Sequence, residues 1–152
     1  MENKDFGFKY THYDSLDGFD TDEKKVIDTA KKACDGAYAP YSNFHVGAAA
    51  LLESGKIVTG NNQESEVFPA GICAERNLLF HHMGTDPQDR IVMLAIASMP
   101  DERECYPCGI CRQVLNDVQK RQGKPFKVIM TSGKTATVVE DVSYLLPFTF
   151  EL

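Results

Sequence analysis

The run from Ile91 to Ala97 is apolar at every position and contains no turn residue. A strand with no polar face cannot leave one side to water, so it fits only a sheet that is covered on both faces. The neighbouring segments supply the cover. From Thr21, read as a helix N-cap with Asp22 and Glu23 in the first turn, Val26, Ile27, Ala30, Ala33, Cys34 and Ala37 recur at helical spacing. They predict an amphipathic helix ending near Gly36. Residues 73 to 83 predict a second helix, and Gly109 to Gln119 a third with Ile110, Val114, Leu115 and Val118 facing inward. Val46 to Leu52 and Lys56 to Gly60 flank the turn Glu53, Ser54 and Gly55 and read as a hairpin. Phe126 to Thr131 and Thr135 to Val139 add two further strands. The expected fold is a layered α/β domain over residues 21–152 with a mixed sheet of five strands. Residues 1–20 carry aromatics and acids without periodicity and read as an extended arm packed on a neighbour.

At 152 residues the chain has the length of one domain. Its 16 Lys and Arg against 22 Asp and Glu leave a net charge of −6, which repels a phosphate backbone. No basic patch overrides this: Lys24 and Lys25 with Lys31 and Lys32 sit at helical spacing among acids and read as a solvated face. Nucleic acid is therefore not expected as a partner. The first residues, MENKDFGFKY, contain acids and no apolar run, unlike a secretory signal. No segment approaches the roughly 18 apolar residues of a membrane span, so a cytoplasmic location without membrane attachment is expected. The 5 cysteines, an odd number with three of them between 105 and 111, fit metal binding in a reducing compartment better than a disulfide framework.

Two strings carry chemistry: Cys73-Ala74-Glu75-Arg76 and Pro107-Cys108-Gly109-Ile110-Cys111-Arg112-Gln113. Each opens a predicted helix, where unpaired N–H groups and the positive end of the helix dipole stabilise a thiolate. Cys108 and Cys111 lie on one turn, so their sulfurs can meet at one ion, and Cys73 supplies another corner of a tetrahedron. Three protein ligands leave a fourth position for water, which separates a catalytic zinc from a closed structural one. Glu75, two residues beyond Cys73, is placed to address that water. Three thiolates with one Zn²⁺ carry a net negative charge, which Arg76 and Arg112 are positioned to offset. Thiolate-rich zinc is also a weak Lewis acid, which makes a strong base beside the water more necessary. Two other readings of these residues stay open. A redox CxxC pair leaves Cys73 unexplained. A structural zinc completed by Cys105, His81 or His82 leaves the placement of Glu75 without purpose. Cys34 reads as a core residue.

Together these strings resemble the short-chain, homotetrameric, zinc-dependent cytidine deaminases of pyrimidine salvage. The resemblance spans residues 21 to 150. It rests on Tyr41-Ser42-Asn43-Phe44 with Val46-Gly47-Ala48-Ala49, on Gly60 to Glu64, and on the two cysteine strings through Leu115. It implies a three-layer α/β/α fold and one zinc per chain on Cys73, Cys108 and Cys111. It also implies hydrolysis of cytidine and deoxycytidine to the uridine counterpart and ammonia, zinc-activated water attacking C4 while Glu75 shuttles protons. Asn62 and Glu64 fall on the family's ribose-binding pair, Phe44 on its pyrimidine-packing aromatic, and Ala74 on its backbone contact to the pyrimidine carbonyl. Phe148 and Phe150 fall on the C-terminal aromatic end that completes a neighbouring subunit's pocket in the homotetramer. His45 departs from a common proline, and Ser65-Glu66-Val67-Phe68 departs from the usual Asn-Ala-Ser or Asn-Ala-Ala then Tyr, so Phe68 lacks a phenol. Two other functions remain in view. One is deamination of a cytosine-bearing nucleoside antibiotic of the blasticidin type, against which Asn62 and Glu64 argue; the other is a zinc-binding scaffold without turnover, against which Glu75 argues.

Overall fold

The computed structural model describes residues 1–152. In chain order the strands and helices are β1 (Thr11–Tyr13), α1 (Thr21–Ala33), β2 (His45–Leu52), β3 (Ile57–Asn61), α2 (Ala74–Thr85), β4 (Ile91–Met99), α3 (Gly109–Gln122), β5 (Lys127–Thr131) and β6 (Ala136–Val139). The sheet runs β1-β6-β5-β4-β2-β3, with β4 and β5 parallel and the other neighbours antiparallel. It is the mixed sheet expected, with six strands rather than five. No helix is long and apolar enough to cross a membrane.

The apolar run explains the layers. Along β4, Leu94 and Ile96 enter the core beneath α2 and α3, whereas Met93, Ala95 and Ala97 enter the core beneath α1. Ile91, paired with Leu52 just past a register shift in β2, also joins the first core, and Val92 is exposed. β5 repeats the alternation, with Val128 and Met130 on the first face and Ile129 on the second. Cys34 is buried in the α1 core, as expected. Two glycines let the layers close. A Cβ on Gly47 of β2 would overlap the Ala30 carbonyl of α1. One on Gly60 of β3 would stand 2.5 Å from the Ala74 carbonyl oxygen and 2.6 Å from the Leu78 nitrogen of α2. Gly60 thereby sets how closely the N-terminal turn of α2 lies on the sheet.

The helices differ from expectation in detail. α1 begins at Thr21, but its N-cap is Asp20 rather than Thr21. Asp20 Oδ1 accepts from Glu23 N at 2.8 Å and Glu23 Oε2 accepts from Asp20 N at 3.0 Å, a reciprocal capping box. Two adjacent capping residue types leave the choice to the backbone. α3 runs past Gln119 to Gln122 and ends at Gly123, whose φ of +68° suits glycine. Val114, Leu115 and Val118 are buried, but Ile110 is 63% exposed. At 100° per residue it lies about 90° from the centre of the stripe made by Cys111, Val114, Leu115 and Val118.

The sixth strand comes from the stretch read as an arm. Thr11, His12 and Tyr13 pair with Val138, Thr137 and Ala136, covering what would otherwise be an open edge. Phe19 is buried and stacks on Tyr13 with ring centroids 4.3 Å apart. A three-residue strand is too short for alternation to show, and its partner lies at the other end of the chain.

Candidate active site

Cys73 is the N-cap of α2 and Cys108 the N-cap of α3; neither side chain caps its own helix, so neither sulfur is committed to its helix end. Cys111 follows in the first turn of α3. The sulfurs of Cys73, Cys108 and Cys111 all lie within 4.8 Å of one another, with Cys73 and Cys108 at 4.0 Å. Tetrahedral zinc with Zn–S near 2.3 Å sets its sulfurs about 3.8 Å apart, so this donor set fits one zinc ion. The loop entering α3 is fixed by Cys105 N donating to Thr131 O at 3.0 Å and by Arg112 Nε donating to Pro107 O at 2.9 Å.

The electrostatics follow from burial and from the thiols themselves. Burial pushes the Glu75 carboxyl up to about 7. The Cys111 thiol hydrogen-bonds Cys73 and, against partial burial, carries the Cys73 pKa down to about 5, while that of Cys111 is driven up. Arg76 Nη2 stands 3.8 Å from the Cys73 sulfur, and its positive charge favours the thiolate there. Arg76 Nε is buried without a hydrogen-bond partner. A guanidinium in that position costs free energy unless anions beside it compensate, and a thiolate cluster supplies them.

A cleft of about 520 Å³ opens beside Cys73, lined among others by Tyr41, Asn62, Glu64, Phe68 and Arg76. Glu64 Oε2 accepts from the backbone N–H groups of Tyr41 at 2.8 Å and Ser42 at 3.2 Å, and Glu64 Oε1 accepts from the Ser42 hydroxyl. These donors, the Ser42 hydroxyl foremost, hold the Glu64 carboxyl below the usual carboxylate range. Asn62 Nδ2 donates to Phe44 O at 2.9 Å, and its Oδ1 accepts from Val46 N at 2.7 Å. Phe68 is exposed, its ring 5.6 Å from that of Tyr41.

The remaining residues singled out from the sequence lie elsewhere. Phe44 lines a separate cavity of about 560 Å³ with Glu104, Cys105 and Tyr106. Ala74 and Glu75 are buried behind Cys73 and do not line the cleft. Phe148 and Phe150 are exposed and outside it. Arg112 donates to the carbonyls of Pro107 and Leu145, so it braces the Cys108 loop against the C-terminal segment rather than touching the sulfurs. Cys105 is buried in the main core, its thiol pushed up to about 12 chiefly by burial. His82 Nε2 meets Asp89 O at 2.9 Å, and His81 is exposed. The metal-capable cluster includes none of these three. Missing from the sequence reading were Tyr41 and Ser42 as donors to Glu64; the signal was a Ser-Asn turn in which Asn43 takes a φ of +54°.

Residues 20–123 match the family model of the cytidine and deoxycytidylate deaminase zinc-binding region. That span holds Cys73, Glu75, Cys108 and Cys111. The chain is 35% identical over 129 residues to the cytidine deaminase of Sporosarcina psychrophila, which covers 85% of this chain and 91% of the relative. To that of Mycobacterium tuberculosis it is 39% identical over 99 residues, 63% of this chain and 71% of the relative. The fold superposes on the cytidine deaminase structure from Burkholderia pseudomallei with a TM-score of 0.72 at 34% identity, covering 84% of this chain and 98% of that one. With the structure from Mycobacterium tuberculosis the TM-score is 0.69 at 31% identity, covering 88% and 100%. The cysteine cluster at two helix starts, the layered sheet and these likenesses converge: the chain belongs to the cytidine and deoxycytidylate deaminase family.

Proposed function

We propose that this chain hydrolyses cytidine, and deoxycytidine, to the corresponding uridine and ammonia, with one zinc per chain on Cys73, Cys108 and Cys111. The observation that carries the reading is the convergence of three sulfurs beside a buried Glu75, whose carboxyl burial pushes up to about 7. When bound, zinc supplies an acidified water as the nucleophile. Glu75 does the rest of the proton work, because a carboxyl with a pKa near the working pH can both accept and donate. It takes a proton from the water as the oxygen bonds to C4 and delivers it to N3. The second water proton then moves by the same carboxylate to the amino group, and the C4–N bond breaks with its electron pair leaving on ammonia. Arg76 offsets the excess charge of the thiolates.

Asn62 and Glu64 accept ribose hydroxyls, the Ala74 backbone meets the pyrimidine carbonyl, and Phe44 packs against the ring. Phe148 and Phe150 complete a neighbouring subunit's pocket in a homotetramer, a role that their exposure in the single chain supports. The nucleoside is taken free, in the cytoplasm, for pyrimidine salvage. The test pairs the zinc content of the purified protein with conversion of cytidine to uridine, followed by ultraviolet absorbance. One zinc per chain with conversion supports the reading. Zinc without conversion of either nucleoside overturns the substrate, and protein without zinc overturns the site.

A further inference from the structure

The loop from Tyr41 to Val46 is held by the two residues assigned to the sugar. Phe44 N donates to Ser42 Oγ at 3.1 Å, and the Ser42 hydroxyl donates in turn to Glu64 Oε1, so a continuous relay links the Phe44 backbone to the Glu64 carboxylate. On the other side Asn62 Nδ2 donates to Phe44 O at 2.9 Å and Asn62 Oδ1 accepts from Val46 N at 2.7 Å. Phe44 is thus fixed at both its N–H and its carbonyl. Between Ser42 and Phe44, Asn43 sits in the left-handed region at φ +54°, a conformation the surrounding hydrogen bonds must hold in place.

The carboxylate count shows what Ser42 contributes. Two carboxylate oxygens offer about four acceptor positions. The backbone N–H groups of Tyr41 and Ser42 use Oε2, and the Ser42 hydroxyl uses one position on Oε1. The acceptor position left for a sugar hydroxyl is therefore on the oxygen that Ser42 orients. Hydrogen bonds arranged in such a chain polarise one another, so what happens at Glu64 Oε1 reaches the Phe44 N–H through a single side chain. Phe44 itself lines the cavity beside Cys105, away from the sugar-side cleft.

We propose that Ser42 is a positioning residue that couples sugar recognition at Glu64 to the placement of Phe44, so that the two ends of the nucleoside are bound as one unit; this rests on the cytidine reading above. Without the hydroxyl, Glu64 Oε1 loses its protein donor and the Phe44 N–H loses its acceptor, so both ends of the binding site loosen. The proton carrier Glu75 and the cysteines lie on α2 and α3 or at their N-caps, and Ser42 contacts neither helix through these bonds. The loss is therefore expected in binding rather than in the chemical step.

The test uses the zinc-loaded protein and two readouts. In cytidine kinetics, Ser42→Ala should raise KM about tenfold, the scale of one hydrogen bond to a charged group, with kcat within about twofold, and Ser42→Thr should restore the wild-type KM. In the Glu64→Gln background, Ser42→Ala should raise KM by clearly less than tenfold, because residues in one network are not additive, and a full tenfold rise there overturns the coupling. In ligand-free hydrogen exchange, the Phe44 amide of Ser42→Ala should exchange about tenfold faster than in the wild type. A KM unchanged in Ser42→Ala, a kcat that falls as far as KM rises, or an unchanged Phe44 exchange rate each overturns the coupling. Failure of the deaminase reading is distinguishable, since the wild type would then leave cytidine intact, and the exchange measurement alone would decide for or against the Ser42 relay.

Discussion

Replacing Gly60 with alanine tests whether the seat of α2 on the sheet sets the metal site. The added Cβ would stand 2.5 Å from the Ala74 carbonyl oxygen, 2.6 Å from the Leu78 nitrogen and 2.8 Å from the Leu78 Cβ. Ordinary contact begins at 3.4 Å, so the first turn of α2 must withdraw by about 0.9 Å at Ala74. The two nearest atoms are backbone, so no change of rotamer relieves the overlap. Zinc–ligand distances tolerate shifts of about 0.2 Å, several times less than the displacement required next to Cys73. Gly60→Ala should therefore destabilise the fold by about 1 to 3 kcal/mol, the usual cost of overpacking, and should weaken zinc binding and slow turnover beyond that loss. Gly47→Ala is the control. Its Cβ would overlap the Ala30 carbonyl and stand 2.7 Å from the Cys34 nitrogen, on the face of the sheet away from α2. Denaturation gives the stability of both variants, and chelator competition and cytidine turnover are then read at a temperature where both remain folded. If Gly60→Ala keeps wild-type zinc affinity and turnover, or if Gly47→Ala loses zinc as readily, the close approach at Gly60 does not set the site.

Glu75→Gln should keep zinc and the fold while turnover falls on the order of 10² to 10⁴, the range for losing a general acid–base group; a near-normal rate refutes its role. Cys108→Ala, or treatment with a strong chelator, should remove zinc and lower Tm steeply, since zinc bound by such ligands contributes on the order of 10 kcal/mol to folding. Stoichiometric zinc in the variant would show that the ligand set is wrong. Asp141 is partly desolvated, which alone raises a carboxyl pKa, yet hydrogen bonds from Gln119 and Ser143 outweigh this and hold it below the usual carboxylate range. A folded pKa below the unfolded value of about 3.9 gives stability that is present above that pH and lost as pH falls through the folded pKa. The Tm gap between wild type and Asp141→Asn should therefore close on acidification, and a gap independent of pH would contradict this.

What was legible in the sequence was what local spacing controls. Ile91 to Ala97 declared a strand buried on both faces, and from Met93 to Ala97 alternate residues do enter two separate cores, although Val92 near its start is exposed. Cys108 and Cys111 sit one helical turn apart at a helix start, so their convergence follows from helical geometry, and Cys73 opens the other helix. The spacing also put Glu75 two residues beyond Cys73, but its burial was not legible there, since Ile110 in the first turn of α3 is exposed. What the tertiary structure decided was every pairing between distant segments. β1 is recognisable only by its partner β6, because three residues carry no period of their own. Phe44 and Glu64, both assigned to one pocket by their motifs, line different cavities, and only the folded loop shows Ser42 bonded to both. Arg112, adjacent to a metal ligand in the chain, turns instead to the carbonyls of Pro107 and Leu145. Periodicity and spacing constrain where a side chain leaves its own helix or strand, whereas the partner it meets depends on how the layers are brought together, and that is settled by burial across the whole sheet.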